Sequence, residues 1–357
     1  MKRIGILTFQ YPENRNFGAS LQSYACMKLM EKFSKDVKLI NYYPIDYNYT
    51  FKGKIILNLE IKNFMDYNNK FLNLTSNIEK NFNLNFLNEK FDVFIAGSDQ
   101  VWRSKWLQER VKHYFFDFVD DNKKKIAYAA SFGVDYWEGD KKLTEEIKPL
   151  VERFDHMSVR EESGIDICKN TFGIDNVVCV LDPTLTVIKE DYQPILDDWK
   201  DKSHLSKKYI AHMLLDDNEK LRNESQNIAN YLKAEINYIK GKYKKILWKN
   251  YFSYNKVSQW LTYLKDAELV ITDSFHCTVF SIIFHKKFVV VANPERGVVR
   301  LETLLSKVGL EDRFFTDIKD VMKSGILNKE IDYDEVEKKL AVHRKYSMDF
   351  LKKALED

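Results

Sequence analysis

Along most of this 357-residue chain, short apolar runs rich in β-branched residues alternate with longer stretches of helical period. Consecutive parallel strands need a crossover between them, and a helix is the usual one. Runs that are apolar throughout, rather than at every second position, are buried on both faces. The alternation therefore predicts parallel sheets covered by helices. RIGILTF reads as a first strand, followed by the loop QYPENRNFG and a helix over 19–33, where Leu21, Ala25 and Leu29 form an apolar stripe. VKLINYY reads as a second strand. FDVFIAGSD, KIAYAASFG, HMSVRE and NVVCVLDPT each read as a strand running into a polar loop. Residues 46–90, rich in Asn and aromatics and without a clean period, are expected to form a variable helical or irregular insertion. After Asp182-Pro183 the pattern restarts: KYIAHMLLD as a strand, 218–235 as a helix, LVITDS as a strand, FHCTVFSIIFH as a helix, KFVVVAN as a strand. The expectation is a first domain over 1–185, a second over 186–330, and a final helix within 331–357 packing back towards the first. That helix is apolar at Val336, Leu340, Phe350, Leu351 and Leu355.

Composition narrows the function classes. Lys and Arg number 56 against 53 Asp and Glu, a net charge of +3, too small to argue for nucleic acid. Cys26, Cys168, Cys179 and Cys277 are scattered without a CxxC pair, which fits reduced thiols in a cytosol better than disulfides or a zinc site. The opening MKRIGILTFQYPENRN turns polar too early for a secretion signal, and no apolar run reaches membrane-spanning length. A cytoplasmic enzyme is the expectation.

In open parallel sheets, ligands meet the carboxyl ends of the strands. Five predicted strands end in polar residues: Gly97, Ser98 and Asp99; Ser131 to Gly133; Arg160; Asp182; and Ser274 to His276. Each alone also reads as ordinary turn chemistry. Asp273 or Ser274 is expected to cap the helix that follows. His276 then falls in its first turn, where backbone N–H groups and the positive helix end attract anions. A helix-start histidine without chemistry is the competing reading. Asn16, Phe17 and Gly18 open the first helix, where glycine allows close backbone approach, and a plain turn is the alternative. Arg296 and Arg300 flank a glycine turn and either clamp an anion or lie solvated in a surface loop. GxxxxGK[ST], GxGxxG after the first strand, HExxH and GxSxG are all absent, and no Asp/His cluster has metal-ligand spacing.

NFGASLQSYA, FDVFIAGSDQVW, KIAYAASFG, SVREESG, VLDPTL, ITDSFHCTVFSIIFHKKF and RGVVRLETLLSKVGLEDR together resemble the polysaccharide pyruvyl transferase family. They run in the family's order from about residue 4 to 313; the insertion and residues 186–255 carry no strong motif. The resemblance implies an α/β, GT-B-like fold with two Rossmann-like domains facing across a cleft, the first taking the acceptor and the second the donor. It implies phosphoenolpyruvate (PEP) as co-substrate with no further cofactor and no metal. The acceptor would be a sugar of a cell-surface polysaccharide or its lipid-linked precursor, met at the inner face of the membrane. It places the family's histidine on His276 and its SVRE-like arginine on Arg160 as catalytic residues. Ser274, Arg296, Arg300, Asn16, Gly18, Gly97, Ser98 and Asp99 are the candidate substrate-binding residues. Family members often carry Lys in the Arg296 region, and the first loop here follows an NxGAxLQ pattern rather than the common Gly-Asp pair. A nucleotide-sugar glycosyltransferase on the same plan, or a non-catalytic carbohydrate-binding protein, are the alternatives.

Overall fold

The computed structural model describes residues 2–44, 50–79, 82–201, 208–246, 249–293 and 296–356. Contacts divide the chain into two compact units. One contains Met1–Thr50, Asn68–Val187 and Ala341–Asp357, the other Phe51–Tyr67 and Ile188–Leu340.

The first unit contains the strands β1 (Ile4–Leu7), β2 (Val37–Leu39), β3 (Tyr42–Tyr43), β4 (Ile78–Glu79), β5 (Val93–Ala96), β6 (Lys124–Ala130), β7 (His156–Val159) and β8 (Val177–Cys179). Six of them form one parallel sheet in the order β2-β1-β5-β6-β7-β8. The inner strands are buried on both faces, which is why Ile4-Gly5-Ile6-Leu7 and Val93-Phe94-Ile95-Ala96 carry no alternation. Aromatic rings fill much of the core: Trp102 stacks on Phe115 at 4.9 Å between centroids and meets Phe132 at 5.2 Å. The first helix runs over Phe17–Met30 rather than 19–33, because Asn16 caps it: its Oδ1 accepts from the N–H groups of Gly18 and Ala19. The expected second strand breaks in two. Gln10 Nε2 donates to the Ile40 carbonyl, and β3 leaves the sheet to pair with β4.

The stretch expected as a variable helical or irregular insertion contains a 21-residue helix, Phe51–Phe71. Ile61, Phe64, Tyr67 and Asn68 are buried on it, a helical stripe in which an asparagine replaces one apolar position and so hides the period. Asn68 Nδ2 donates to the Gln10 carbonyl, which is why a polar residue is tolerated there.

The second unit contains β9 (Tyr209–Met213), β10 (Glu235–Tyr238), β11 (Gly241–Ile246), β12 (Lys249–Tyr254), β13 (Leu269–Thr272), β14 (Lys287–Val291) and β15 (Phe314–Phe315). A parallel sheet runs in the order β10-β9-β13-β14-β15, and β11 and β12 form a separate antiparallel hairpin. The helices Glu219–Leu232, Val257–Asp266, Phe275–Ile283 and Val299–Val308 accompany this sheet. The last helix, Tyr333–Glu356, belongs to the second unit up to Leu340 and to the first from Ala341. Within the first unit, Ser347 Oγ accepts from the Leu181 N–H and Arg344 Nε donates to the Leu185 carbonyl.

Candidate functional site

Because all six strands of the first sheet are parallel, their carboxyl ends share one edge, and the polar strand ends meet there. Asp182 is the centre. Its Oδ2 accepts from Arg160 Nη1 at 2.9 Å and from Ser98 Oγ at 2.7 Å, and its Oδ1 accepts from the N–H and Oγ of Thr184. Thr8 Oγ1 donates to the Ser98 carbonyl. Beside this group, Glu161 Oε1 accepts from Ser131 Oγ and from the N–H groups of Phe132 and Gly133. The side chains of Arg160, Asp182 and Glu161 are at most 1% exposed. Two buried carboxylates and one guanidinium, tied by hydrogen bonds, form a rigid layer beneath the loops rather than an open anion site. Gly97 is there for packing: a Cβ would lie 2.9 Å from the Thr8 Cβ. Asp99 turns the chain at φ +83°. Its Oδ1 accepts from the Gln100 N–H, whereas its buried Oδ2 has no hydrogen-bond partner among the described residues.

The second sheet gathers another set at its carboxyl edge. The helix after β13 begins at Phe275, and His276 lies in its first turn, 6% exposed, its ring edge-on to Phe275 at 5.2 Å. Neither residue expected to cap this helix does so. Ser274 is the N-cap without a side-chain bond, because Asp273 is drawn away to bridge two other strand ends: Oδ1 accepts from the Leu215 N–H and Oδ2 from Asn293 Nδ2. Asn293 Nδ2 also reaches Asp216. Arg296 grips Asp216 with two bonds of 2.8 and 2.7 Å, Arg300 Nη2 donates to the Arg296 carbonyl, and the Arg300 guanidinium lies 5.9 Å from the Phe275 ring. Hydrogen bonding to Arg296 pulls Asp216 down to about 2. Burial pushes the Asp273 carboxyl up and the Lys240 ammonium down, with Arg296 adding to the effect on Lys240. The result is a half-buried group of alternating charge, joined to the helix start of His276 through Arg300 and the Phe275 ring.

The sequence matches the polysaccharide pyruvyl transferase description over residues 16–295. The chain belongs to the polysaccharide pyruvyl transferase family. The match takes in Asn16, Gly18, Gly97, Ser98, Asp99, Arg160, Ser274 and His276; Arg296 and Arg300 follow just beyond it. No curated protein matches the chain. Among solved structures, the UDP-GlcNAc 2-epimerase of Neisseria meningitidis bound to UDP-GlcNAc is similar at a TM-score of 0.55 and 9% identity, over 99% of this chain and 100% of that one. The UDP-N-acetylglucosamine 2-epimerase of Rickettsia bellii gives 0.53 and 10%, over 100% and 97%, and a putative one of Listeria monocytogenes 0.52 and 11%, over 94% and 91%. Identities this low speak to fold alone. They make this pyruvyl transferase family member an α/β protein of GT-B type.

The structure thus gathers Ser98 and Arg160 around Asp182 in one unit; in the other it sets Arg296 on Asp216 and Arg300 beside Phe275, with Ser274 and His276 flanking Phe275 in the chain. Asn16 serves its own helix as a cap, with Gly18 inside the first turn. Asp216, Lys240 and Asn293 were missed by sequence reasoning. All three follow strands, and Asp216 is the last residue of the KYIAHMLLD run itself, so the strand-end rule could have found it. Lys240 was hidden because β10, EINY, is too short and polar to stand out. Among the described residues no three His, Cys, Asp or Glu side chains group as a metal site, and no helix is long and apolar enough to cross a membrane.

Proposed function

We propose that this chain transfers the pyruvyl unit of PEP to a sugar as a cyclic ketal, working on a cell-surface polysaccharide or its lipid-linked precursor at the cytoplasmic face of the membrane. The family match over residues 16–295 carries the reading. The cationic edge of the second sheet supports it, since PEP brings a phosphate and a carboxylate and Arg296 and Arg300 are grouped near a helix start. In this reaction the PEP methylene gains a proton and C2 becomes electrophilic. Two neighbouring sugar hydroxyls add to C2 in turn, and the C–O bond to phosphate breaks. Of the two hydroxyl protons, one ends on the new methyl group and the other leaves with phosphate. His276 is the acid/base candidate, in reach of a first-turn ligand. Arg296 must loosen its hold on Asp216 or present its remaining N–H to the anion. Arg160 enters as a positioning residue, because Asp182 already neutralises it out of solvent.

The test supplies PEP with a panel of p-nitrophenyl hexosides and reads inorganic phosphate release and ketal formation by mass spectrometry. Formation of both supports pyruvyl transfer. Consumption of a nucleotide sugar without any use of PEP would instead support the glycosyltransferase alternative. That alternative draws on the large cavity of the second unit and on a structural relative bound to UDP-GlcNAc.

A further inference from the structure

In the second unit the helix Phe51–Phe71 packs on the β11–β12 hairpin. Glu60 Oε1 accepts from the Phe252 N–H at 3.4 Å, Asn63 Nδ2 donates to the Tyr254 carbonyl at 2.7 Å, and the Phe64 and Tyr254 rings meet at 5.7 Å. Three residues forward on the helix thus match two forward on β12, so the two elements run in the same direction. Phe51 and Ile55 lie roughly 8–14 Å before Glu60 along the helix, and Lys249 lies roughly 10 Å before Phe252 along the strand. The helix start and the far end of the hairpin therefore come level. That end is apolar and cationic at once. Phe51 is 80% exposed and Ile55, one turn on, 39%. Lys52 and Lys54 are exposed between them, and Lys245 and Lys249 are exposed on the hairpin. Neither 51–59 nor 241–255 contains an acidic residue. The whole chain has a net charge of +3, so without these four lysines the rest of it is slightly acidic. Single exposed apolar side chains are ordinary; apolar side chains set among uncompensated lysines suit an anionic interface. Two copies meeting by two-fold symmetry would instead set lysine against lysine.

We propose that this end of the second unit docks on an anionic lipid surface, with Phe51 and Ile55 entering the headgroup layer and Lys52, Lys54, Lys245 and Lys249 meeting lipid phosphates. The purpose of such docking rests on the proposed function, which sets the enzyme at a membrane; the attraction itself does not depend on which reaction the enzyme performs. The test is co-sedimentation of the full chain with vesicles of phosphatidylcholine alone and of phosphatidylcholine mixed with phosphatidylglycerol. The mixed vesicles should carry the protein down and the neutral ones should not, and added salt should release it. Each lysine near such a surface is worth about fivefold in partitioning. The Lys52→Glu, Lys54→Glu variant should therefore partition at least about tenfold more weakly. The Phe51→Ser, Ile55→Ser variant should weaken as well, which a site for polyanions alone would not show. Both variants change exposed residues, circular dichroism checks their fold, and phosphate release from PEP with a soluble hexoside should be as in the wild type. No partitioning of the wild type, equal partitioning to neutral vesicles, or unchanged partitioning of either variant would overturn the assignment. A dimer seen by light scattering and broken by Phe51→Ser, Ile55→Ser would give the face to a second copy and overturn it too. Vesicle binding without any use of PEP would sink pyruvyl transfer and leave the docking standing.

Discussion

Arg160 and Arg296 are each held by one aspartate at similar distance, 2.9 Å to Asp182 and 2.7 Å to Asp216, but their side chains are 1% and 41% exposed. Water decides what each pair is for. Removing one partner of the buried pair strands a charge in the interior, which typically costs about 3–5 kcal/mol. Asp182→Ala should therefore lower the unfolding free energy in urea by that order. The exposed pair contributes little to folding, about 0–1 kcal/mol. Arg296→Ala should leave the urea midpoint nearly unchanged while weakening PEP binding by about 1.5–3 kcal/mol in calorimetry, if the guanidinium makes a charged hydrogen bond to it. Equal PEP affinity would remove Arg296 from the site. His276→Gln should keep the fold and most of the PEP affinity but lose roughly 10²-fold or more in transfer rate. A near-normal rate would show that the histidine only fills a helix start.

At the level of elements, the strand-to-loop transitions carry the strain. β6 shifts register between Ala127 and Ala130, with Ala129 at φ +52°, and the chain leaves it through Gly133 at φ +78°. A Cβ on Gly133 would sit 2.5 Å from Gln100 Oε1, the atom that accepts from Arg103 Nη1. Gly133→Ala thus meets both an unfavourable backbone region, at about 1–2 kcal/mol, and a displaced hydrogen bond. A melting temperature lowered by several degrees is the expected outcome, and an unchanged one would mean that the loop relaxes freely. Strands of this kind are readable in sequence because burial on both faces forces an unbroken apolar run. The hairpin was not readable. GKYKKI and KNYFSY have no buried face of their own, so nothing in their pattern separates them from a solvated loop until the cross-strand bonds are seen. The helix 51–71 was half readable, as a departure from the alternation that left helical and irregular forms both open.

For the molecule as a whole, one buried titration stands out. His212 is held by burial at about 4 against an ordinary 6.5, packed against Tyr238 and hydrogen-bonded to Ser225, with Asp217 and Arg222 facing it. Between those two values the unfolded chain binds a proton that the folded chain refuses. Stability should therefore be full above about pH 6.5 and fall as the pH drops towards 4. His212→Gln should flatten that part of the profile in pH-dependent thermal melts; an unaltered slope would assign it to other groups. PEP binding itself should persist in EDTA, because arginines and a helix end can hold the anion. Calorimetric binding that appears only with a divalent cation would contradict this.

The amino-acid pattern by itself determined the parallel α/β class and most of the strands. It also determined the residues that end those strands, because sheet burial and strand-end turns depend on local composition and spacing. It placed His276 in a first helical turn for the same reason, from the apolar run before it and the apolar face after it. Only the tertiary structure decided what those strand ends meet. That Arg160 is spent on Asp182, that Asp273 bridges Leu215 and Asn293 instead of capping its helix, and that Lys240 closes on Phe252 beside an open cavity are all consequences of distant segments converging, the first at the edge of one sheet and the others at the edge of the second. Burial converts such a meeting into function or scaffold by removing the water that would otherwise make the charges interchangeable, and burial is a property of the packed chain.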